Sequence, residues 1–342
     1  MRRWAVWATL AALVWTCEGA GEGGKENFLV VGYLPEYRHF DTEERWKETL
    51  EKLTHVILFS IEATGDGGLS SLDRLPSNLD RVKQWASDAD TSILVCIGGA
   101  GRSAGLAEAL ADESSRNNLI RNLFDLVESL GLSGVDVNWE SPGSDVEYER
   151  LHQLVLGLKR ASPSTLVTVA IHPGQEEMLL RHSILDVVDF VSEMAYDNLC
   201  SIPRTTPPCK HSTFEFSEFV TRHLQQVGVD LSKVLMGLPF YGRDMYKGGA
   251  KAYYELGDAG EGDEVDGYFF NNHQTLEAKV DLARSRKMAG VMIWELGQDR
   301  GRESGRSLLA GLGDYVNSFE TRPESDPATL HIMIIMIDHR PM

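Results

Sequence analysis

Cysteine is scarce: four in 342 residues cannot build a disulfide-dense scaffold, and the chain holds no Asn-x-Ser/Thr acceptor for N-linked sugar. The ten histidines are scattered, with no pair at metal-ligand spacing and no Cys-rich cluster, so no metal or cofactor is expected. Positive charge is also short, 33 Lys and Arg standing against 51 Asp and Glu for a formal net charge of −18. An acidic surface repels phosphate backbones and anionic head groups, which argues against nucleic acid or membrane-surface partners and leaves neutral ligands such as sugars open. No apolar run reaches the roughly 20 residues that a bilayer span requires, so stable membrane insertion is not expected. Repeats of short period are absent, and 42% hydrophobic with 25% charged residues is the composition of neither a disordered nor a collagen-like chain.

What is present begins with a leader. Arg2 and Arg3 precede an apolar run from Trp4 to Trp15 and the small residues Gly19 and Ala20, the layout of a signal peptide over residues 1–19. The product is therefore expected to be secreted and extracellular. Without Cys17, Cys200 and Cys209 bracket a short Pro-rich segment that an oxidising compartment could close as a local disulfide. Cys96 lies inside an apolar strand with nothing cationic beside it in sequence, and reads as an inert buried thiol. Residues 321–342 break the pattern and read as a disordered tail, although 331–338 are apolar.

Between these ends, over 27–320, short β-branched runs alternate with helical stretches, the signature of a parallel sheet. The runs begin at Phe28, His55, Ser92, Gly134, Thr165, Asp189, Lys233 and Met288. Helical periodicity is clearest where Leu119, Leu123 and Val127 recur on one face and Gly131 supplies the stop. Near the start, Asp41 is the expected helix cap before Trp46, Leu50 and Leu53. Eight strand-then-helix units at this length predict an α/β fold, a (β/α)8 barrel, with no large insertion domain between the seventh and eighth strands. The connection from Asp244 to Lys287 is the longest and is expected to form a rim. In such barrels functional groups come from the C-terminal ends of strands.

The fourth run carries Asp136, Asn138 and Glu140 at alternate positions. A strand's period of two aims all three at one face, into the barrel, with Glu140 at the mouth. Burying such groups unpaired costs roughly 1 to 3 kcal/mol each, so they mark either a satisfied internal hydrogen-bond ladder or a site. A carboxyl partly withdrawn from water suits general acid work on a glycosidic bond. Such chemistry ordinarily pairs two carboxyls, yet no second inward Asp or Glu is evident at a strand end. That pattern fits the exception in which the substrate's own acetamide attacks.

These residues then acquire a family likeness. The segment from Leu132 to Glu140 resembles the signature of glycoside hydrolase family 18, the chitinase family, Asp-Gly-x-Asp-x-Asp-x-Glu. Runs at Cys96, Met194, Gly237 and Gly290 resemble further strands of that family, in barrel order, from about Phe28 to Asp299. The resemblance implies that Glu140 protonates the glycosidic oxygen and that Tyr196 donates to the attacking acetamide carbonyl. It implies Asp136 and Asn138 as their partners, Trp294 as the floor under the sugar, and Tyr33, Phe59, Trp139, Met194, Asp197, Tyr241 and Arg243 as the pocket lining. It implies chitin or another N-acetylglucosamine oligosaccharide as partner, and says nothing of oligomeric state. Four positions depart from the pattern, with Ser133, Cys96 and Asn138 where the family has aspartate, serine and aspartate, and Ser141 where a tyrosine often follows the glutamate. Asparagine can accept a hydrogen bond but carries no charge, so hydrolysis is expected to be weakened; the alternative is a glycan-binding lectin.

Other features point elsewhere less well. The glycine loop from Gly98 follows the third strand, not the first, and is read as close backbone packing under the sugar site, not as a dinucleotide loop. His172, ending the fifth strand, reads either as a substrate contact or as a satisfied structural histidine. Glu295 reads as a barrel-packing group, and Asp299 as a brace for the last loop.

Overall fold

The computed structural model describes residues 28–198, 210–258, 260 and 262–321. The signal-like segment, the Cys200 and Cys209 pair and the tail beyond Thr321 lie outside the described residues. The central strands are β1 (Leu29–Pro35), β2 (His55–Ala63), β3 (Ser92–Gly98), β4 (Gly134–Asn138), β5 (Leu166–Ile171), β6 (Phe190–Glu193), β7 (Val234–Pro239) and β8 (Gly290–Trp294). All pair in parallel in sequence order. β1 also pairs with β8, Leu29 lying opposite Gly290, so the ring closes and the eight runs form a (β/α)8 barrel.

Helices α1 (Glu43–Leu50), α2 (Leu79–Asp88), α3 (Ala104–Ala111), α4 (Glu113–Leu130), α5 (Asp145–Ala161), α6 (Glu176–Arg181), α7 (Phe214–Val227), α8 (His273–Ser285) and α9 (Leu308–Asn317) surround it. Gly131 ends α4 at φ +62°, where a side chain is disfavoured. Thr42, not Asp41, caps α1, its hydroxyl accepting from Arg45 N at 3.2 Å. Asp299 braces the last loop: its carboxylate accepts from the N–H groups of Leu308 and Leu309 and from Ser307 Oγ.

Strand alternation divides the core in two. Val30, Leu34, Val56, Val95, Val135, Val137, Val167, Val169 and Ile293 face the helices, where α4 and α5 contribute Leu119, Leu123, Leu151 and Leu154. The opposite faces fill the barrel interior with Val31, Tyr33, Ile57, Phe59, Leu94, Cys96, Ala170, Phe190 and Met292. The connection between β7 and α8 folds as four short antiparallel strands, Tyr241–Asp244, Ala250–Ala252, Glu264–Val265 and Tyr268–Phe269. This small sheet begins two residues after β7 ends, which puts Tyr241 and Arg243 at the C-terminal rim of the barrel.

Candidate active site

The polar strand β4 is built as its alternation requires. Asp136 is fully buried; Tyr33 Oη donates to its Oδ2 at 2.9 Å and Thr168 Oγ1 to its Oδ1 at 2.7 Å. Burial pushes the Asp136 carboxyl up, opposed by donation from Thr168, Tyr33 and the Cys96 thiol. Cys96 itself is a free, buried thiol whose pKa is raised well above the usual by burial and the neighbouring Asp136. Ser133, below the site, has its Oγ accepting from Ile93 N at 3.3 Å, a bond that ties β4 to β3.

Asn138 is 2% exposed, and its Oδ1 has no hydrogen-bond partner within the protein. A buried amide oxygen left open in this way is ready for a donor brought by a ligand. Its backbone carbonyl accepts from Gly99 N at 2.6 Å. Gly98 and Gly99 stand at φ +96° and +103°, and a Cβ on Gly99 would lie 2.3 Å from Phe59 Cζ. Close backbone approach under the pocket is thus the reason for the glycine loop.

Glu140 follows at the strand's mouth. Its backbone N–H donates to Ser103 Oγ at 3.1 Å, and its Oε2 lies 3.4 Å from His172 Nε2. The carboxyl is mostly enclosed, with its side chain 18% exposed.

Across the barrel, β6 leads into Met194, Tyr196 and Asp197. Tyr196 is buried, its Oη 3.9 Å from Met292 Sδ, and burial followed by the charges of Asp197 and Glu140 keeps the phenol protonated far above the usual range. A phenol so held keeps its O–H as a donor. Asp197, at φ +54°, accepts from Tyr241 Oη at 2.8 Å and from Arg243 Nε and Nη2 at 2.7 and 2.6 Å. Burial would raise the Asp197 carboxyl, but His211, Arg243 and Tyr241 outweigh it and hold it well below the ordinary carboxylate range.

The floor is aromatic. The Trp294 ring meets Phe59 edge-on at 4.8 Å and Tyr33 at 5.6 Å, and Arg102 Cζ lies 5.2 Å from the Phe59 ring centre. Tyr196 and Tyr241 meet edge-to-face at 6.2 Å.

The expected residues Tyr33, Phe59, Asp136, Asn138, Glu140, Met194, Tyr196, Asp197, Tyr241, Arg243 and Trp294 therefore converge on the C-terminal end of the barrel interior. Trp139 does not. It is 5% exposed within the outer core, because its place between Asn138 and Glu140 on the strand turns its ring to the helices. Glu295, adjoining the pocket floor, is buried, accepts from Gly297 N at 2.7 Å and lies 3.4 Å from Arg38 Nε. Thr168, Ser103, Arg102 and His211 support the site without having been singled out. Thr168 was accessible to reasoning as the polar residue at an inward position of β5, whereas Ser103 and His211 lie in loops with no periodic signal.

A closed (β/α)8 barrel with acidic, phenolic and indole groups gathered at its strand ends has the architecture of a glycoside hydrolase. The family model for glycosyl hydrolases family 18 matches residues 29–299, and the chain belongs to that family, one of chitinase-type glycoside hydrolases. It is 23% identical over 267 residues to Endochitinase 1 of Metarhizium robertsii, covering 60% of this chain and 61% of that protein. The chain thus spans about three fifths of that relative's length. In fold it is similar to a chitinase from Bacteroides thetaiotaomicron, with a TM-score of 0.71 at 20% identity, covering 87% of this chain and 99% of that one. It is similar as well to the chitinase-like agglutinin of Robinia pseudoacacia, with a TM-score of 0.67 at 20% identity, covering 84% and 99%.

Proposed function

We propose that the protein is a secreted, weakened chitinase that cleaves β-1,4-linked N-acetylglucosamine chains with retention, assisted by the substrate's acetamide. Glu140 passes its proton to the glycosidic oxygen as the bond from that oxygen to the anomeric carbon breaks. The acetamide oxygen, held by the Tyr196 hydroxyl, forms the new bond to the anomeric carbon. Water then opens this intermediate and returns a proton to Glu140. Trp294 offers its face beneath the reacting sugar, and the Asp197–Arg243 pair fixes the opposite wall.

The observation that supports this reading is the placement of Glu140, Tyr196 and Trp294 at the C-terminal ends of barrel strands, with Asn138 Oδ1 left without a partner within the protein. That oxygen can accept from the acetamide N–H. It cannot neutralise the cation that forms, so turnover is slow.

The same uncharged Asn138 favours a second reading, a lectin that grips the glycan and leaves it intact. A fluorogenic chitobioside assay beside a chitin pull-down separates the two. Turnover by the wild type that falls at least tenfold in Glu140→Gln is expected for the enzyme. Retention on chitin without turnover selects the lectin, and neither result removes both readings.

A further inference from the structure

We propose that His172 is a positioning residue for Glu140, holding the orientation of its carboxyl and stabilising the charge it acquires when its proton leaves. This rests on the reading of Glu140 as the acid.

Between the two halves of the proposed reaction Glu140 is a carboxylate in a confined pocket. The groups facing it from β3 and from the segment after β6 are the Cys96 thiol and the Tyr196 phenol, both kept neutral by burial. From its own strand it faces the buried Asp136 and the uncharged Asn138. None of these supplies positive charge. His172, at the end of β5, is the basic side chain paired with Glu140 among the described residues, its Nε2 lying 3.4 Å from Glu140 Oε2.

The turn that carries His172 is anchored. The His172 backbone N–H donates to Gln175 Oε1 at 2.8 Å, and Gln175 Nε2 donates to Tyr148 Oη at 2.9 Å, which ties the turn to α5. The His172 side chain is 46% exposed, against 18% for that of Glu140, so the imidazole stands on the solvent side of a more enclosed partner. In the first half-reaction the proton moves from Glu140 to the glycosidic oxygen; in the second, one moves from water to Glu140. His172 neither gives nor takes a proton in these steps and acts through its contact with the carboxyl alone. A neutral asparagine on one side is thus accompanied by a titratable base on the other.

The test does not depend on turnover. Histidine-selective NMR of the substrate-free full chain identifies the His172 signal by its loss in His172→Gln. That signal is expected to move in Glu140→Gln, because the two side chains lie 3.4 Å apart. An unmoved His172 signal in Glu140→Gln overturns the proposal, whether or not the protein hydrolyses glycan. Where turnover is measured, kcat is expected to fall several-fold in His172→Gln with KM little changed. An unchanged kcat also overturns the proposal. Loss of glycan turnover in the wild type, with the NMR coupling intact, sinks the hydrolase reading and leaves the pair standing.

Discussion

The Ser103 hydroxyl accepts a hydrogen bond from the backbone N–H of Glu140 at 3.1 Å, although the two residues are 37 positions apart. The same oxygen donates to Gly99 O at 3.1 Å, so one buried serine ties the loop after β3 to the end of β4. Ser103→Ala leaves the Glu140 N–H without a partner, which costs about 1 to 2 kcal/mol. Thermal unfolding should show that loss. Glycan turnover is expected to drop several-fold, because the acid is no longer held in register. An unaltered melting temperature together with unaltered kcat would contradict this role.

Asn138→Asp restores a charge at the open buried oxygen. Chitobioside turnover is expected to rise about tenfold or more, since charge aimed at a developing cation is worth several kcal/mol. Stability should decline by about 1 to 3 kcal/mol, as a second carboxyl is buried on the strand that already holds Asp136. A denaturation curve and a kcat measurement on one preparation check both directions, and a fall in kcat would count against the mechanism.

Glu295 titrates where it can be followed. Burial pushes its carboxyl up to about 7, against the Gly297 N–H and Arg38. The folded state therefore binds its proton more tightly than the unfolded chain, in which a glutamate titrates near about 4.3. Its contribution is complete below that value and is lost as pH rises to about 7, a decline of up to about 3 kcal/mol. Glu295→Gln, which keeps an acceptor for Gly297 N–H, should flatten the fall in stability over this window. Urea midpoints at pH 4.5, 6 and 7.5 for both proteins provide the measurement, and parallel curves would refute the assignment.

Gly99 combines φ +103° with a Cβ position 2.3 Å from Phe59 Cζ. Gly99→Ala must strain the backbone and push the ring toward Trp294, with an expected cost of about 2 to 4 kcal/mol. Near-ultraviolet circular dichroism should register the disturbed Phe59–Trp294 contact. A variant that melts with the wild type would show that the loop yields.

The sequence by itself determined the barrel and the inward polar strand. Eight β-branched runs with helices between them, at this length, fit a closed ring better than an open doubly wound sheet, and the period of two aimed Asp136 and Asn138 inward while turning Trp139 away. That same period could have corrected the expectation that Trp139 lines the pocket. The expected cap Asp41 gave way to its neighbour Thr42, a choice made by backbone geometry. Only the tertiary structure decided which distant groups meet: Ser103 with Glu140, Thr168 with Asp136, Arg243 with Asp197, and His172 with Glu140. Periodicity describes one strand or helix at a time. These contacts join strand ends and loops around a closed ring, where the shear of the barrel and the path of each loop set the partners.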